Sequence, residues 1–331
     1  MIPRLNISFP LKRQVQYWCG EEYEPCEGEY LVNHARTGIV MALRATLPNG
    51  GRVGVVAYNC HTVANAVVNA GCKPVFVDVT EGMTIDIASV PVDLDAIVVT
   101  NLFGIRNDIE AIRQRCPRAI IIVDNAHGYG LPVEGDFTVY SINQGKFPAL
   151  GPGGILYAID DWRLKIDDLY NALPGYSYIA QVKLFCSMLM KAIAYSKLCY
   201  WLVLRLKKTA NPDVHEKVTM RKMAPGVGRL YKAWLPNAEA ETANQKQNAE
   251  RISGLVVSGE CFVGENAFMA VVWTEEPETL KKEFVKRGVE TETHFKHCIE
   301  WAEQFGYKRG SCPKAEELTT KLLMIPTYTR I

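Results

Sequence analysis

Three side chains carry most of the chemistry this sequence offers. Asp124 closes the apolar run Ile121-Ile122-Val123, and Ser141 closes the run Phe137-Thr138-Val139-Tyr140. Lys146 follows in Asn143-Gln144-Gly145-Lys146, ahead of Gly151-Pro152-Gly153-Gly154. A carboxylate and an amine at neighbouring strand ends, with a hydroxyl and glycines between them, suit pyridoxal 5'-phosphate (PLP). The amine forms a Schiff base with the cofactor's aldehyde, and the carboxylate keeps the pyridine nitrogen protonated so that the ring accepts electrons. Hydroxyl or backbone N–H groups take the phosphate. Each residue alone is commonplace, since strand-end carboxylates cap turns, serines make turns and lysines lie in water. Their order and spacing taken together point to one site.

Such a site needs strands to hold it. From about 37 to 158 the chain alternates short, β-branched apolar runs at 53–57, 74–77, 96–100, 120–123 and 137–140 with amphipathic stretches that include 61–70 and 107–115. Continuous apolar runs of this length read as strands buried on both faces. Their alternation with helices predicts an α/β domain with a mostly parallel sheet flanked by helices. Ligands in such sheets bind at the carboxyl ends of the strands, which is where Asp124 and Ser141 fall. The stretch 212–228 reads as a loop, because Pro212, Pro225, Gly226 and Gly228 interrupt any helix. Beyond it come a polar helix at 238–252, a strand at 267–273 and helices at 277–287 and 313–323. Two units are expected: a large cofactor-binding domain, 1–228, and a smaller C-terminal α+β domain, 229–331.

Composition narrows the class. The 331 residues are 48% hydrophobic and 22% charged, enough to bury a large core. Lys plus Arg number 37 against 36 Asp plus Glu, so the net charge of +1 leaves no electrostatic footprint for nucleic acid. The 10 cysteines include no C-x-x-C pair and read as reduced thiols. No metal is expected: His294-x-x-His297-Cys298 has a helical spacing, but no carboxylate completes a ligand set. Neither a dinucleotide fingerprint nor a P-loop is present. The opening residues lack the apolar core of a signal peptide and no run reaches the ~18 apolar residues of a membrane span, so a cytoplasmic protein is expected. One stretch stands apart. Residues 177–208 are rich in Leu, Met, Tyr and Trp and hold Lys183, Lys191, Lys197, Arg205, Lys207 and Lys208 with no acidic residue. The favoured reading is a helix packed into the domain or onto a partner, its long cations reaching water. The other is a basic amphipathic helix resting on an anionic membrane surface.

The run Ser141-x-x-x-x-Lys146, preceded by Gly135-Asp136-Phe137 and followed by Gly151-x-Gly153-Gly154, resembles the lysine segment of the DegT/DnrJ/EryC1/StrS family, PLP-dependent sugar aminotransferases of fold type I. His34-Ala35-Arg36-Thr37-Gly38, leading to Leu43, stands at the place of that family's phosphate-binding turn. Gly71-Cys72-Lys73-Pro74-Val75-Phe76-Val77-Asp78-Val79 is similar to its G-x-x-P-V-F-V-D-V segment, and Cys312-Pro313-x-Ala315-Glu316 with Leu323-x-Ile325-Pro326 to its C-terminal signature. The resemblance runs from about residue 31 to the end, apart from 177–208 and the loop after it. It implies that Lys146 is the Schiff-base lysine and Asp124 the partner of the pyridine nitrogen. Ser141 and the backbone N–H groups of Arg36 and Thr37 would hold the phosphate at a helix N-terminus. His127 would lie close to the ring and its phenolic oxygen. The family's ring-stacking aromatic aligns with Cys60, so His61 or Tyr58 substitutes for it or sulfur covers the ring face. His34-Ala35 replaces a usual Ser-Gly, Asn59 a usual Thr and Pro152 a usual Glu.

The implied reaction is a two-stage, ping-pong amino transfer through Lys146. An amino acid, glutamate by resemblance, leaves its amino group on the cofactor as pyridoxamine 5'-phosphate, and a keto-sugar, nucleotide-linked in this family, then collects it. The resemblance further implies a homodimer and a place in amino-sugar and polysaccharide biosynthesis, although no partner-subunit residue is matched between 223 and 235. Two other readings stay open: a different PLP reaction on a sugar, against which the presence of Lys146 argues, and a catalytically altered or regulatory relative that keeps the fold.

Overall fold

A computed structural model describes residues 8, 11–196, 199, 212–256, 258–293 and 295–328. The apolar runs form strands β2 (Arg52–Val56), β3 (Lys73–Val77), β4 (Ala96–Thr100), β5 (Ile120–Asn125) and β6 (Phe137–Ser141). Two further strands, β1 (Glu29–Val32) and β7 (Gly154–Ala158), complete a seven-stranded sheet in the order β1-β7-β6-β5-β4-β2-β3. Pairings from β6 across to β3 are parallel, whereas β6 with β7 and β7 with β1 are antiparallel. Helices cover both faces, which is why the central runs are apolar without alternation. On β5, Ile121 and Val123 enter one core with Ile97, Val99 and Trp234, while Ile122 enters the other with Val98, Val139 and Leu43. Chain order reverses between β2 and β4, because β3 lies outside β2 and β4 on its other side. Their carboxyl ends therefore feed loops in opposite directions and open a crevice.

Helices α1 (Leu11–Trp18), α2 (Ala35–Thr46), α3 (His61–Asn69), α4 (Ile109–Arg115), α5 (Asp160–Asn171) and α6 (Tyr178–Ala194) belong to this half of the chain. The stretch expected to be a loop, 212–228, holds no helix or strand up to Ala224, but its last four residues open a helix, α7 (Pro225–Trp234). Pro225 occupies its first turn, where a missing N–H costs nothing. Gly226 is required inside it because a Cβ would stand 2.5 Å from ring carbons of Trp18. Val227, Leu230 and Trp234 of α7 join the large core. Gly228 thus falls within an element, and we propose that the two units divide at the following turn, Leu235–Asn237.

The remaining elements are α8 (Ala238–Leu255), β8 (Glu260–Val263), β9 (Met269–Trp273), α9 (Pro277–Lys286), β10 (Glu292–Thr293), α10 (Cys298–Glu303), α11 (Pro313–Lys321) and β11 (Leu322–Pro326). The last expected helix stops at Lys321, and Leu322 and Leu323 start a strand. An antiparallel sheet in the order β10-β11-β9-β8 packs Val272 and Ile325 against Ile252, Leu280 and Phe284. Asp78 joins the halves: its Oδ1 accepts from the Ala315 N–H at 2.8 Å and its Oδ2 from the Lys314 N–H at 3.1 Å, both at the start of α11. Two sequence segments quoted above, 71–79 and 312–316, meet in this contact.

The basic stretch 177–208 is helical over α6; residues 197, 198 and 200–208 lie outside the described residues. Among the described residues no helix is long and apolar enough to cross a membrane.

Candidate active site

A cavity of about 220 Å³ opens over the crevice between β2 and β4. Its floor comes from strand ends: Thr100 ends β4, Asp124 is the last residue but one of β5 and Ser141 ends β6. Asn59 and Cys60 follow β2, and Asn143 and Lys146 follow β6. His34, Ala35 and Arg36 at the start of α2 form one wall, with His127 and Phe295 also facing the space. The loop bearing Lys146 is pinned at its base, since the Ile142 carbonyl accepts from Leu150 N–H at 2.9 Å and Gly151 N–H at 3.2 Å. The Lys146 amide donates to the Asn143 carbonyl at 3.0 Å, so the lysine is carried on a closed turn rather than a free loop.

Asp124 is buried and hydrogen-bonded. Its Oδ1 accepts from the Ala126 N–H at 3.0 Å and its Oδ2 from the Thr100 hydroxyl at 3.4 Å. Asn59 Nδ2 in turn donates to Thr100 Oγ1 at 2.8 Å. This file of donors orients the carboxylate toward the cavity, as outer partners do for a reactive group. Thr100 is directly opposite Asp124 in the parallel register. Burial pushes the Asp124 carboxyl above the usual carboxylate range, against the pull of the Ala126 N–H, the Lys146 charge and the Thr100 hydroxyl. Burial likewise pushes the Lys146 amine below the ordinary lysine value, with Cys60 and Asp124 opposing it. A lysine depressed by desolvation is the kind that serves as base or nucleophile near neutrality.

His127 is buried with its ring parallel to Phe295, at 11° and 6.1 Å, and stacked on Phe103 at 5.5 Å. Its Nδ1 accepts from the Phe103 N–H at 3.2 Å, which leaves the proton on Nε2. Phe295 holds φ at 50°, a left-handed conformation that a non-glycine residue adopts only when its surroundings impose it. Burial raises the Cys60 thiol, but His61, Lys146 and the Thr62 hydroxyl, 3.1 Å from the sulfur, outweigh it and bring the thiol down to about 7. His34 is held down to about 4 by burial and by the Arg36 charge.

The structure brings Asp124, His127, Ser141, Lys146, Arg36 and Cys60 to one cavity. Two predicted site residues stand elsewhere. Thr37 is fully buried, its amide turned back on the His34 carbonyl at 2.9 Å and its hydroxyl on Asn33 Oδ1 at 2.8 Å, because the first turn of α2 is tight. His61 begins α3 and lays its ring against Trp301 of the smaller unit at 4.9 Å; it acts on the site through the Cys60 thiol and does not itself line the cavity. Tyr58 is buried beneath, edge-on to Phe295 at 5.7 Å. Of the three groups considered for the ring face, Cys60 alone lines the cavity. Sequence reasoning passed over Thr100, Thr62, Asn143 and Phe295; the strand-end position of Thr100 was the one available signal. In the His294-x-x-His297-Cys298 run, His294 lies outside the described residues and Cys298 is buried. Among the described residues no three His, Cys, Asp or Glu side chains group as metal ligands would.

Residues 30–170 match the model of the DegT/DnrJ/EryC1/StrS aminotransferase family. A sequence search among curated proteins finds no significant match. Among solved structures, the sugar aminotransferase CalS13 from Micromonospora echinospora superposes with a TM-score of 0.69 at 17% identity, covering 99% of this chain and 95% of that one. Spr1654 from Streptococcus pneumoniae in its PLP form gives 0.69 at 17% identity over 98% and 94%. DesV of S. venezuelae, in complex with a ketimine intermediate, gives 0.68 at 20% identity over 96% and 87%. At these identities the likeness is one of fold: a fold type I architecture with a large, mostly parallel sheet. The segment that matches this family's model, residues 30–170, carries nearly all of this sheet and every cavity group named above except Phe295.

Proposed function

We propose that this chain is a PLP-dependent aminotransferase that moves an amino group from an amino acid, glutamate in the first place, to a keto-sugar. A nucleotide-linked acceptor and a homodimer belong to the same proposal; the family match and the solved sugar aminotransferases support its coarser part, amino transfer to a sugar. The observation that carries it is Lys146 buried beside Asp124 at the carboxyl ends of β4 to β6, facing the N-terminus of α2.

The residues present fit the cofactor. The N-cap of α2, His34, makes no side-chain cap, so the first amides of the helix face the cavity beside the Ser141 hydroxyl and the Arg36 guanidinium, a donor set for a phosphate. The buried Asp124 carboxylate faces Lys146 across the cavity and suits a protonated ring nitrogen. When bound, PLP supplies an aldehyde that takes up amines covalently and a ring that accepts an electron pair from the carbon bearing the amine.

Lys146, its amine kept neutral by desolvation, would take the proton from the amine-bearing substrate carbon onto Nζ and give it up again on the same face. Asp124, steadied by Thr100 and Asn59, holds a positive charge opposite itself throughout. His127 donates through Nε2 and, wedged between Phe103 and Phe295, limits water at the reacting face. Arg36, whose guanidinium lies 3.9 Å from the Glu216 carboxylate, adds charge at the phosphate end, while the Thr37 amide that the resemblance assigns to the phosphate donates to the His34 carbonyl.

The test is covalent capture. Incubation with PLP followed by borohydride should add the cofactor's mass to the tryptic peptide holding Lys146 and to no other. Glutamate should then yield 2-oxoglutarate, and a panel of nucleotide-linked keto-sugars read by mass should identify the acceptor. Capture at a different lysine, or none, refutes the assignment; capture without 2-oxoglutarate refutes amino transfer from glutamate.

A further inference from the structure

Helix α6 is fixed to the body along one flank and leaves an apolar flank in water. Phe185 packs on Trp18 at 4.8 Å, and buried Met188 fills the space beside Gly151. On the opposite side Ile179 (67% exposed), Val182, Cys186, Met190 (65%) and Ile193 follow one another at i, i+3, i+7, i+11 and i+14, a single helical stripe. Exposed Lys183 borders it, while exposed Lys191 lies nearer the Met188 flank, beside Asn143 and Gln144. A helix apolar on two sides requires a second covering, because such a stripe left in water costs hydrophobic free energy along its length.

Charge identifies the covering. The whole chain balances 37 basic against 36 acidic residues, yet between Asp168 and Asp213 there is no carboxylate, while Lys183, Lys191, Lys197, Arg205, Lys207 and Lys208 all fall there. Trp201 and Tyr200, residues that favour bilayer interfaces, lie in the same span of sequence. We propose that α6 docks the protein on an anionic membrane surface, its stripe entering the boundary between headgroups and acyl chains and its lysines meeting the lipid phosphates. Apolar insertion and basic charge are the two contributions that together hold a domain at a bilayer. With only 17 residues, α6 lies on such a surface rather than through it. A second copy of the chain fits less well, since a twofold contact through this face would set the same carboxylate-free, cationic stretch against itself. The opposite flank, seated on Gly151 and beside Asn143 and Gln144, places the Lys146 loop one helix diameter, ~10 Å, behind the same surface. The inference is independent of the reaction proposed above.

The full-length chain should float with vesicles of phosphatidylcholine and phosphatidylglycerol, and not with phosphatidylcholine alone, and the bound fraction should fall as salt is raised. Ile179→Glu with Met190→Glu, and separately Lys183→Glu with Lys191→Glu, should each weaken vesicle binding on the order of tenfold or more. Lys183→Glu alone, at an exposed position, keeps the test valid if the apolar double variant misfolds. Absence of flotation with anionic vesicles, or equal flotation with neutral ones, overturns the proposal. So does light scattering in which Ile179→Glu with Met190→Glu dissociates an oligomer that never floats, which would assign the stripe to a second copy.

Discussion

Replacing Gly154 by Ala would place a methyl group where β7 passes under the start of α2. The added Cβ would stand 2.8 Å from Ala35 Cα and closer still to the Ala35 nitrogen and the His34 carbonyl carbon. Ordinary contact begins at 3.4 Å, so at least 0.6 Å is missing, and none of the three atoms belongs to a side chain that could swing away. Relief requires α2 to move relative to β7, and overpacking of this kind costs about 1–3 kcal/mol. Displaced by that much, one amide at the helix start loses its bond to a phosphate, worth about 1.5–3 kcal/mol for a charged acceptor. Gly154→Ala is therefore expected to lower the urea midpoint and to weaken PLP binding roughly 10- to 100-fold, as measured by equilibrium dialysis of the apoprotein. Gly254, near the end of α8 with nothing within 4 Å, is the control: its change to Ala should stabilise by a few tenths to about 1 kcal/mol and leave PLP binding alone. If Gly154→Ala keeps the wild-type midpoint and affinity, the close approach of β7 to the phosphate turn is wrong.

Other expectations follow from the same geometry. Alkylation of Cys60, isolated by difference from Cys60→Ser, should rise with pH through a midpoint near 7 rather than near the ~8.5 of a free thiol, and Lys146→Ala should move that midpoint up. His34 is neutral in the folded apoprotein down to about pH 4 but takes a proton near 6.5 when unfolded, so its contribution to stability is present above 6.5 and lost as pH falls toward 4. Between pH 7.5 and 5 this amounts to roughly 2 kcal/mol, and urea titrations of His34→Asn at the two pH values should show a correspondingly smaller loss than wild type. Asp136 Oδ2 accepts from the Ile121 N–H and from Arg113 Nη2, both at 2.7 Å, at the start of the pair of strands that carry Asp124 and Ser141. Asp136→Ala should cost about 1–3 kcal/mol by leaving the Ile121 amide without its partner, with thermal melts as the measure; an unchanged melt would remove Asp136 from the account.

The parallel strands were legible because each is a short β-branched run set between turn signals, and burial on both faces leaves no polar position to confuse the pattern. Strands β1 and β7 were not. Glu-Tyr-Leu-Val carries a carboxylate whose burial depends on Tyr23, Tyr157 and the Cys26 N–H, partners scattered along the chain, and Gly-Ile-Leu-Tyr-Ala emerges directly from a glycine loop. Helix α7 was hidden by Pro225, Gly226 and Gly228, whose meaning reverses once Trp18 is known to press on that turn. At the site, Asp124, Ser141 and Lys146 could be read from strand ends. Thr37 and His61 could not be placed, since a tight helical turn and a ring contact to Trp301 decide where they point. Phe295 arrives from the smaller unit, at a sequence distance that no local pattern spans.

The pair of bonds from Asp78 to the amides of Lys314 and Ala315 ties the loop after β3 to the first turn of α11. A carboxylate in that position also meets the positive end of the helix dipole, so the clasp is held by charge as well as by geometry. Phe295 rides on the same unit as α11, and a second tie runs from Asn266 Nδ2 of that unit to the His127 carbonyl at 2.9 Å, so loss of the Asp78 side chain would open one of at least two clasps between the halves.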